Sequence, residues 1–200
     1  MNQSITSNEK AQAKKEAVFD AASEVFAQYG FRRTTMNDIA QAVGISRPAL
    51  YLMFSNKENL FCELTNHRLN QAIEQSILVL SGKENLKSRF INALLIFEKV
   101  YYEPVSDSPH GAELMDVNQS LAGESLMKGF SKLVASFART LKDGEKEGLV
   151  SFENSPLNSK TFVELLFTAI GGVKKKASST TDFRKKTEQV ASIFLASILS

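Results

Sequence analysis

Two hundred residues, 43% apolar and 23% charged, suffice for one large or two small globular domains and are too apolar for a disordered chain. Only four prolines and ten glycines stand beside plentiful Leu, Ala, Glu and Lys, a mixture that favours helices over a turn-rich β fold. Net charge is +2, and residues 1–60 set seven basic side chains against six acidic ones, so charge alone does not announce a nucleic-acid partner. No apolar run approaches the ~18 residues of a membrane span. The opening MNQSITSNEK lacks the apolar stretch of a signal peptide. Cys62, without a second cysteine, cannot close an internal disulfide. A cytoplasmic protein with no membrane partner is expected.

In chain order, the first predicted helix runs from about Glu9 to Tyr29, with Val18, Ala21, Ala22, Val25, Phe26 and Tyr29 on one stripe and Gly30 as its left-handed stop. A short helix follows from Thr35, where Thr35-Met36-Asn37-Asp38 reads as a capping box. Gly44 breaks it, and Ser46 caps a third helix reaching about Phe54, with Pro48 in the first turn. Ser55-Asn56-Lys57-Glu58 reads as another capping box, opening a long helix from Lys57 to about Leu80. Further helices are predicted over Leu86–Tyr102, Gly111–Leu121, Glu124–Glu147, Asn158–Lys176 and Asp182–Leu199, with the segment EPVSDSPH as a turn. No strand pattern competes, and the expected fold class is all-α.

Two short helices joined by a tight turn, with the motif spanning 35–54, have the dimensions of a helix-turn-helix that reads DNA. Ala40 is small where the helices cross, Gly44 supplies the turn's positive φ, and Ile45, Leu50 and Phe54 fix the second helix to the first. Arg47, Pro48, Ala49 and Tyr51 are left near the N-terminal end that enters a major groove.

The stretch from Ala17 to Phe61 resembles the N-terminal domain of the tetracycline-repressor (TetR) family of bacterial regulators. The matching elements are F-x-x-x-G-F (Phe26 to Phe31), T-T-M-x-D-I-A (Thr34 to Ala40), V-G-I-S-R-x-x-L-Y-x-x-F (Val43 to Phe54) and S-N-K-E-N-L-F (Ser55 to Phe61). The resemblance implies an N-terminal three-helix DNA-binding domain over residues 1–57 and a C-terminal helical effector and dimerisation domain over 58–200. It implies a DNA-binding transcriptional regulator, a repressor that binds a palindromic operator as a homodimer and leaves when a small molecule binds. The DNA contacts carried over are Thr35, Ser46, Arg47, Pro48, Ala49, Tyr51 and Lys57, of which Thr35, Tyr51 and Lys57 fall on phosphate. Leu52 and Met53 depart from the polar residues common in the family, which shifts base readout towards Arg47 and DNA shape.

Past the first sixty residues the resemblance rests on length and helical pattern. It implies a dimer interface on the last two helices, with Phe162, Leu166, Ala169, Val190, Phe194 and Ile198 as candidates among a wider apolar set that includes Leu165 and Ile193. Phe97, Tyr101 and Met115 are candidate lining for an effector pocket, against the plainer reading as core. The runs Lys174–Lys176 and Lys185–Lys186 are expected to be solvated helix ends. His67 and His110 do not stand at metal-ligand spacing from Cys62, so neither a metal nor a cofactor is expected. An enzyme lacks support: there is no Ser/His/Asp set, Gly-rich phosphate loop or carboxylate–histidine cluster, and hence no catalytic residue to name. The alternative is a helix-turn-helix that serves as a protein-interaction module without touching DNA.

Overall fold

A computed structural model describes the backbone of residues 7–199 and the side chains of 9–199. Residues 1–6, part of the segment on which the expectation about a signal peptide rests, and Ser200 lie outside the described residues. The described chain is helical, with no strand and a single antiparallel bridge between Val150 and Leu199. The described residues divide into two compact units, 7–67 with 108–123, and 68–107 with 124–199.

In the first unit, α1 (Ser7–Tyr29), α2 (Met36–Val43) and α3 (Arg47–Tyr51) meet the start of α4 (Lys57–Leu80). Val18, Phe19, Ala22 and Phe26 of α1 are buried with Ile39, Ala40, Leu50, Phe54 and Leu60. Phe26, Phe31 and Phe61 pack with ring centroids 5.0–5.6 Å apart. Each such buried ring stabilises the unit by roughly 2–3 kcal/mol, beside the buried aliphatic side chains of the same core. Gly30 adopts φ +79°, which favours glycine, and a Cβ there would sit 2.4 Å from the Glu113 carboxylate, so that side chain would have to move.

The second unit contains the rest of α4, α5 (Leu86–Phe97), a π-helical turn (Glu98–Tyr102), α6 (Glu103–Ser106), the rest of α7 (Gly111–Lys146), α8 (Ser159–Lys174) and α9 (Thr180–Ala196). Phe90, Phe137, Leu133, Leu141, Phe162 and Leu166 form its core.

Several predicted boundaries move, each for a local reason. Helix α3 ends at Tyr51 rather than near Phe54, although Phe54 N–H still reaches the Leu50 carbonyl at 3.0 Å. The α4 cap lies one residue on from Ser55: Asn56 Oδ1 accepts from Asn59 N–H at 2.7 Å, and Asn59 Oδ1 accepts from Ser55 N–H at 3.2 Å. Asn caps as well as Ser, so composition alone did not choose between them. Glu103–Ser106, expected as a turn, is helical, because Pro104 falls in a first turn where its missing N–H costs nothing. The two helices predicted on either side of Gly123 are one helix of 36 residues. A single internal glycine costs about 1 kcal/mol, which the packing of so long a helix outweighs.

Candidate functional site

The α2–α3 motif is built from short-range hydrogen bonds. Thr35 caps α2, its Oγ1 accepting from Asp38 N–H at 3.3 Å. The Asp38 carboxylate answers by accepting from both Thr35 N–H and Thr35 O–H, each at 2.8 Å. The Thr35 hydroxyl and then its N–H hold the Asp38 carboxyl below the usual carboxylate range. Both Thr35 donors are thus already engaged. At the far end, Gly44 is left-handed (φ 77°), with Gly44 N–H on the Gln41 carbonyl at 3.1 Å and Ile45 N–H on the Ala40 carbonyl at 3.0 Å. This pair of bonds sets the turn. Ser46 then caps α3, accepting from Ala49 N–H at 3.3 Å.

The structure brings the exposed end of α3 together as one surface. Ser46, Arg47 and Pro48 are exposed and Ala49 is half-buried. Arg47 Nη2 lies 3.5 Å from the Tyr51 hydroxyl, and the guanidinium stands 5.4 Å from the Tyr51 ring centre. Tyr51 itself is 40% exposed. Leu50, one residue back, is fully buried and locks the helix to the core. Leu52 is 90% exposed, so an apolar side chain stands on this polar rim.

Lys57 has a role the spacing did not reveal. Its Nζ donates to the carbonyls of Phe31 at 2.7 Å and Thr34 at 2.8 Å, and lies 4.4 Å from the Phe31 ring centre. The ammonium therefore staples the α1–α2 loop, and at most one of its three N–H groups is left for a phosphate. Glu113 holds the same loop, accepting from Arg32 N–H at 2.9 Å.

In the second unit a cavity of about 220 Å³ is lined by Phe97 and Tyr101 together with Leu94, Glu98, Tyr102, Phe130, Phe167, Ile170, Gly171, Lys174 and Phe183. Met115 is not among the lining residues; it is half-buried in the other unit. Lys174, expected to be solvated, is half-buried with its Nζ 3.9 Å from the centre of the Tyr102 ring, while Lys175 and Lys176 are exposed. The mismatch arises because α8 ends against the π-helical turn, whose existence the sequence pattern does not signal.

Of the interface candidates, Phe162, Leu166 and Ile198 are buried within the chain's own core, so they are not available to a partner. Ala169, Val190 and Phe194 are half-buried. The outward apolar positions of α8 and α9 are Leu165, 45% exposed, and Ile193, 70% exposed. His67 packs against Phe19 at 5.0 Å between rings, and His110 faces Glu113 at 3.6 Å. Cys62 Sγ donates to the Leu121 carbonyl at 3.3 Å, and burial pushes its thiol up. Among the described residues no group of three or more His, Cys, Asp or Glu could hold a metal ion, and no helix is long and apolar enough to cross a membrane.

Comparison with known proteins agrees with this geometry. Residues 18–64 match the family described as bacterial regulatory proteins, tetR family. The HTH-type transcriptional regulator YhgD of Bacillus subtilis is 25% identical over 166 residues, 77% of this chain and 83% of that protein. The protein called "Probable acrEF/envCD operon repressor" of Escherichia coli is 44% identical over 57 residues, 28% of this chain and 26% of its own length. A transcriptional regulator from Cytophaga hutchinsonii superimposes with a TM-score of 0.79 at 22% identity, covering 94% of this chain and 100% of that one, which extends the likeness in fold to the C-terminal helices. With the capped α2–α3 motif and the exposed Arg47–Tyr51 edge already in place, residues 18–64 form a DNA-binding domain of the TetR type, and the chain is a DNA-binding transcriptional regulator.

Proposed function

We propose that this chain represses transcription as a cytoplasmic homodimer on a palindromic operator, and that a small molecule in the aromatic cavity releases it. The observation that carries the DNA reading is the arrangement of Ser46, Arg47 and Tyr51 on the open end of α3, with Leu50 and Phe54 buried beneath them. Arg47 presents a planar fork of donors suited to a guanine's O6 and N7. Tyr51, and the one remaining donor of Lys57, suit phosphate, and Thr35 reaches phosphate only by giving up a bond to Asp38. Exposed Leu165 and Ile193 on α8 and α9 support a two-fold partner. Two-fold symmetry in turn requires an inverted-repeat operator. Release requires only that the ligand bind the non-DNA-binding conformation more tightly. Nothing in the site favours catalysis, and a regulator rather than an enzyme is the reading adopted.

The test is selection of bound sequences from a random DNA library, repeated with Arg47→Ala. An enriched inverted repeat, bound by a dimer in sedimentation, is expected. Arg47→Ala is expected to cost about 1–3 kcal/mol and to flatten preference at one symmetric pair of positions. A uniform loss with the preference intact makes Arg47 a positioning residue. Failure to enrich any sequence overturns the repressor reading in favour of a protein-interaction module.

A further inference from the structure

The cavity of the second unit sets two polar groups in an apolar wall, and neither finds its full complement within the chain. Glu98 is only 6% exposed. Its Oε1 accepts from the Thr187 hydroxyl at 2.6 Å, whereas Oε2 has no hydrogen-bond partner among the described residues. Burial pushes the Glu98 carboxyl up to about 7 and neighbouring Glu103 adds to the rise, against the Thr187 hydrogen bond and the positive charges of Arg184 and Lys174. Near neutral pH a large share of molecules therefore carries the proton. With Oε1 accepting from Thr187, that proton belongs on Oε2, an O–H donor with nothing to donate to. Lys174 is the second group. Its ammonium rests on the Tyr102 ring and makes no ion pair among the described residues, and burial lowers its pKa. Arg184 does not compensate, since it is engaged with Glu103.

The backbone marks the same place. A π-helical turn is uncommon and recurs at functional sites. Here it spans Glu98–Tyr102 and supplies Glu98, Tyr101 and Tyr102 to the cavity wall.

With the proton on Glu98, both unanswered groups are donors, and one is a cation. A cationic ligand would have to share the cavity with Lys174, and an uncharged one would leave that ammonium without a counter-charge whenever Glu98 is protonated. An anion with a single charge accepts from both. The remaining wall, with Phe97, Tyr101, Phe130 and Phe167 among its rings, suits an aromatic or branched apolar body. At about 220 Å³ the space is below the ~300–1,000 Å³ of drug-sized pockets, which excludes long chains and large polycyclic bodies.

We propose that this cavity binds a small amphiphilic monocarboxylate, its head between Lys174 Nζ and Glu98 Oε2 and its apolar body among Phe97, Tyr101, Phe130 and Phe167. The proposal rests on the reading of the cavity as an effector site and adds the class of effector. Binding places a second negative charge beside Glu98, so it stabilises the protonated carboxyl, and affinity falls as pH rises above about 7.

Isothermal titration of the full-length, DNA-free protein with phenylacetate and 3-phenylpropionate, their primary amides, and phenethylamine tests this directly. The acids are expected to bind at least about tenfold more tightly than the amides or the amine, the scale of a hydrogen bond to a charged group. Lys174→Met, which keeps the apolar stem, should remove that advantage by weakening the acids far more than the amides. Glu98→Gln keeps a donor at Oε2's place, so acid binding should survive and lose its pH dependence between about pH 6 and pH 8. Equal affinity for acid and amide, tighter binding of the amine, or no binding of either acid overturns the assignment. Operator binding is measured separately: an acid that binds without weakening the operator complex leaves the site standing and overturns ligand release. An acid that fails to bind to a protein that still holds its operator overturns the site alone.

Discussion

The α2–α3 motif and the cavity wall handle polar groups in opposite ways. In the motif each polar group that fixes the turn is answered within a few residues: Thr35 by Asp38, Gly44 by Gln41, Ser46 by Ala49. In the cavity, the Glu98 carboxyl takes its one hydrogen bond among the described residues from Thr187, 89 residues away, and keeps one oxygen unanswered. A surface that must meet DNA in a fixed shape is rigid before contact, and Arg47 and Tyr51 stand outside the capping network that engages Thr35 and Ser46. A cavity that must respond to a ligand retains unsatisfied groups, because their satisfaction is what distinguishes the two states.

The largest expected effect tests the rigid side. Gly30→Ala forces an alanine into φ +79° and drives its Cβ to 2.4 Å from Glu113, disturbing the hydrogen bond that Glu113 accepts from Arg32. The loss should be about 2–4 kcal/mol in urea unfolding. Gly44→Ala shares the positive φ but meets nothing within 4 Å, so it should cost only about 1–2 kcal/mol. Equal losses at the two positions would show that Glu113 does not brace the loop.

What could be read from the residues follows the same division. Thr35, Gly44, Ser46 and Pro48 act on neighbours one turn away, so their spacing alone located α2, the turn and the start of α3. The break expected at Gly123 did not occur, because helix propensity is a weak prior against packing over 36 residues. The α4 cap fell on Asn56 rather than Ser55, two residues of equal capping strength. Among the apolar residues of α8 and α9, the pattern did not separate buried Phe162 and Leu166 from exposed Leu165 and Ile193, since apolar residues stand side by side in both helices and so fall on more than one face. Glu98 and Lys174 were invisible as site residues. Acidic and basic side chains are ordinarily solvated, and only the tertiary fold buries these two beside one cavity.

The second effect tests the unsatisfied side through pH. Glu98 has its pKa raised by folding, from 4.5 to about 7, so its contribution is intact below 4.5 and is lost as pH rises through 7. The folded state holds the proton more tightly than the unfolded chain, and stability falls across that window and is flat above it. The full swing is bounded at about 3 kcal/mol. Glu98→Gln should erase it, so the difference in stability between wild type and variant changes between pH 4.5 and 7 and nowhere else. A difference that is constant with pH would mean that the carboxyl stays ionised on folding.

Next in size is Lys57→Met, which removes the donor to the Phe31 and Thr34 carbonyls while keeping the stem. A loss of about 1–3 kcal/mol in unfolding is expected, because both bonds are charge-assisted. Operator binding should weaken as well. If the remaining N–H meets a phosphate, the salt slope drops by about 0.9. Unchanged stability with a lower slope would make Lys57 a phosphate contact and nothing more.

The smallest effect separates recognition from stability most cleanly. Leu52 follows α3, is 90% exposed and supports no core contact, so Leu52→Ser should leave unfolding within about 0.5 kcal/mol of wild type. An apolar side chain on a DNA-facing edge has one favourable use in a major groove, contact with a thymine methyl group. Withdrawing that contact exposes about one methyl-sized area again, worth about 0.8 kcal/mol, or a several-fold loss of operator affinity. Because a methyl is present on only one of the four bases, the loss should concentrate at one symmetric pair of A·T positions and vanish on an operator where those are replaced by G·C. Binding that is unaffected on every operator would place Leu52 outside the groove, and a loss that is uniform across operators would make it a backbone contact. Either result confines direct base readout to the Arg47 turn of α3.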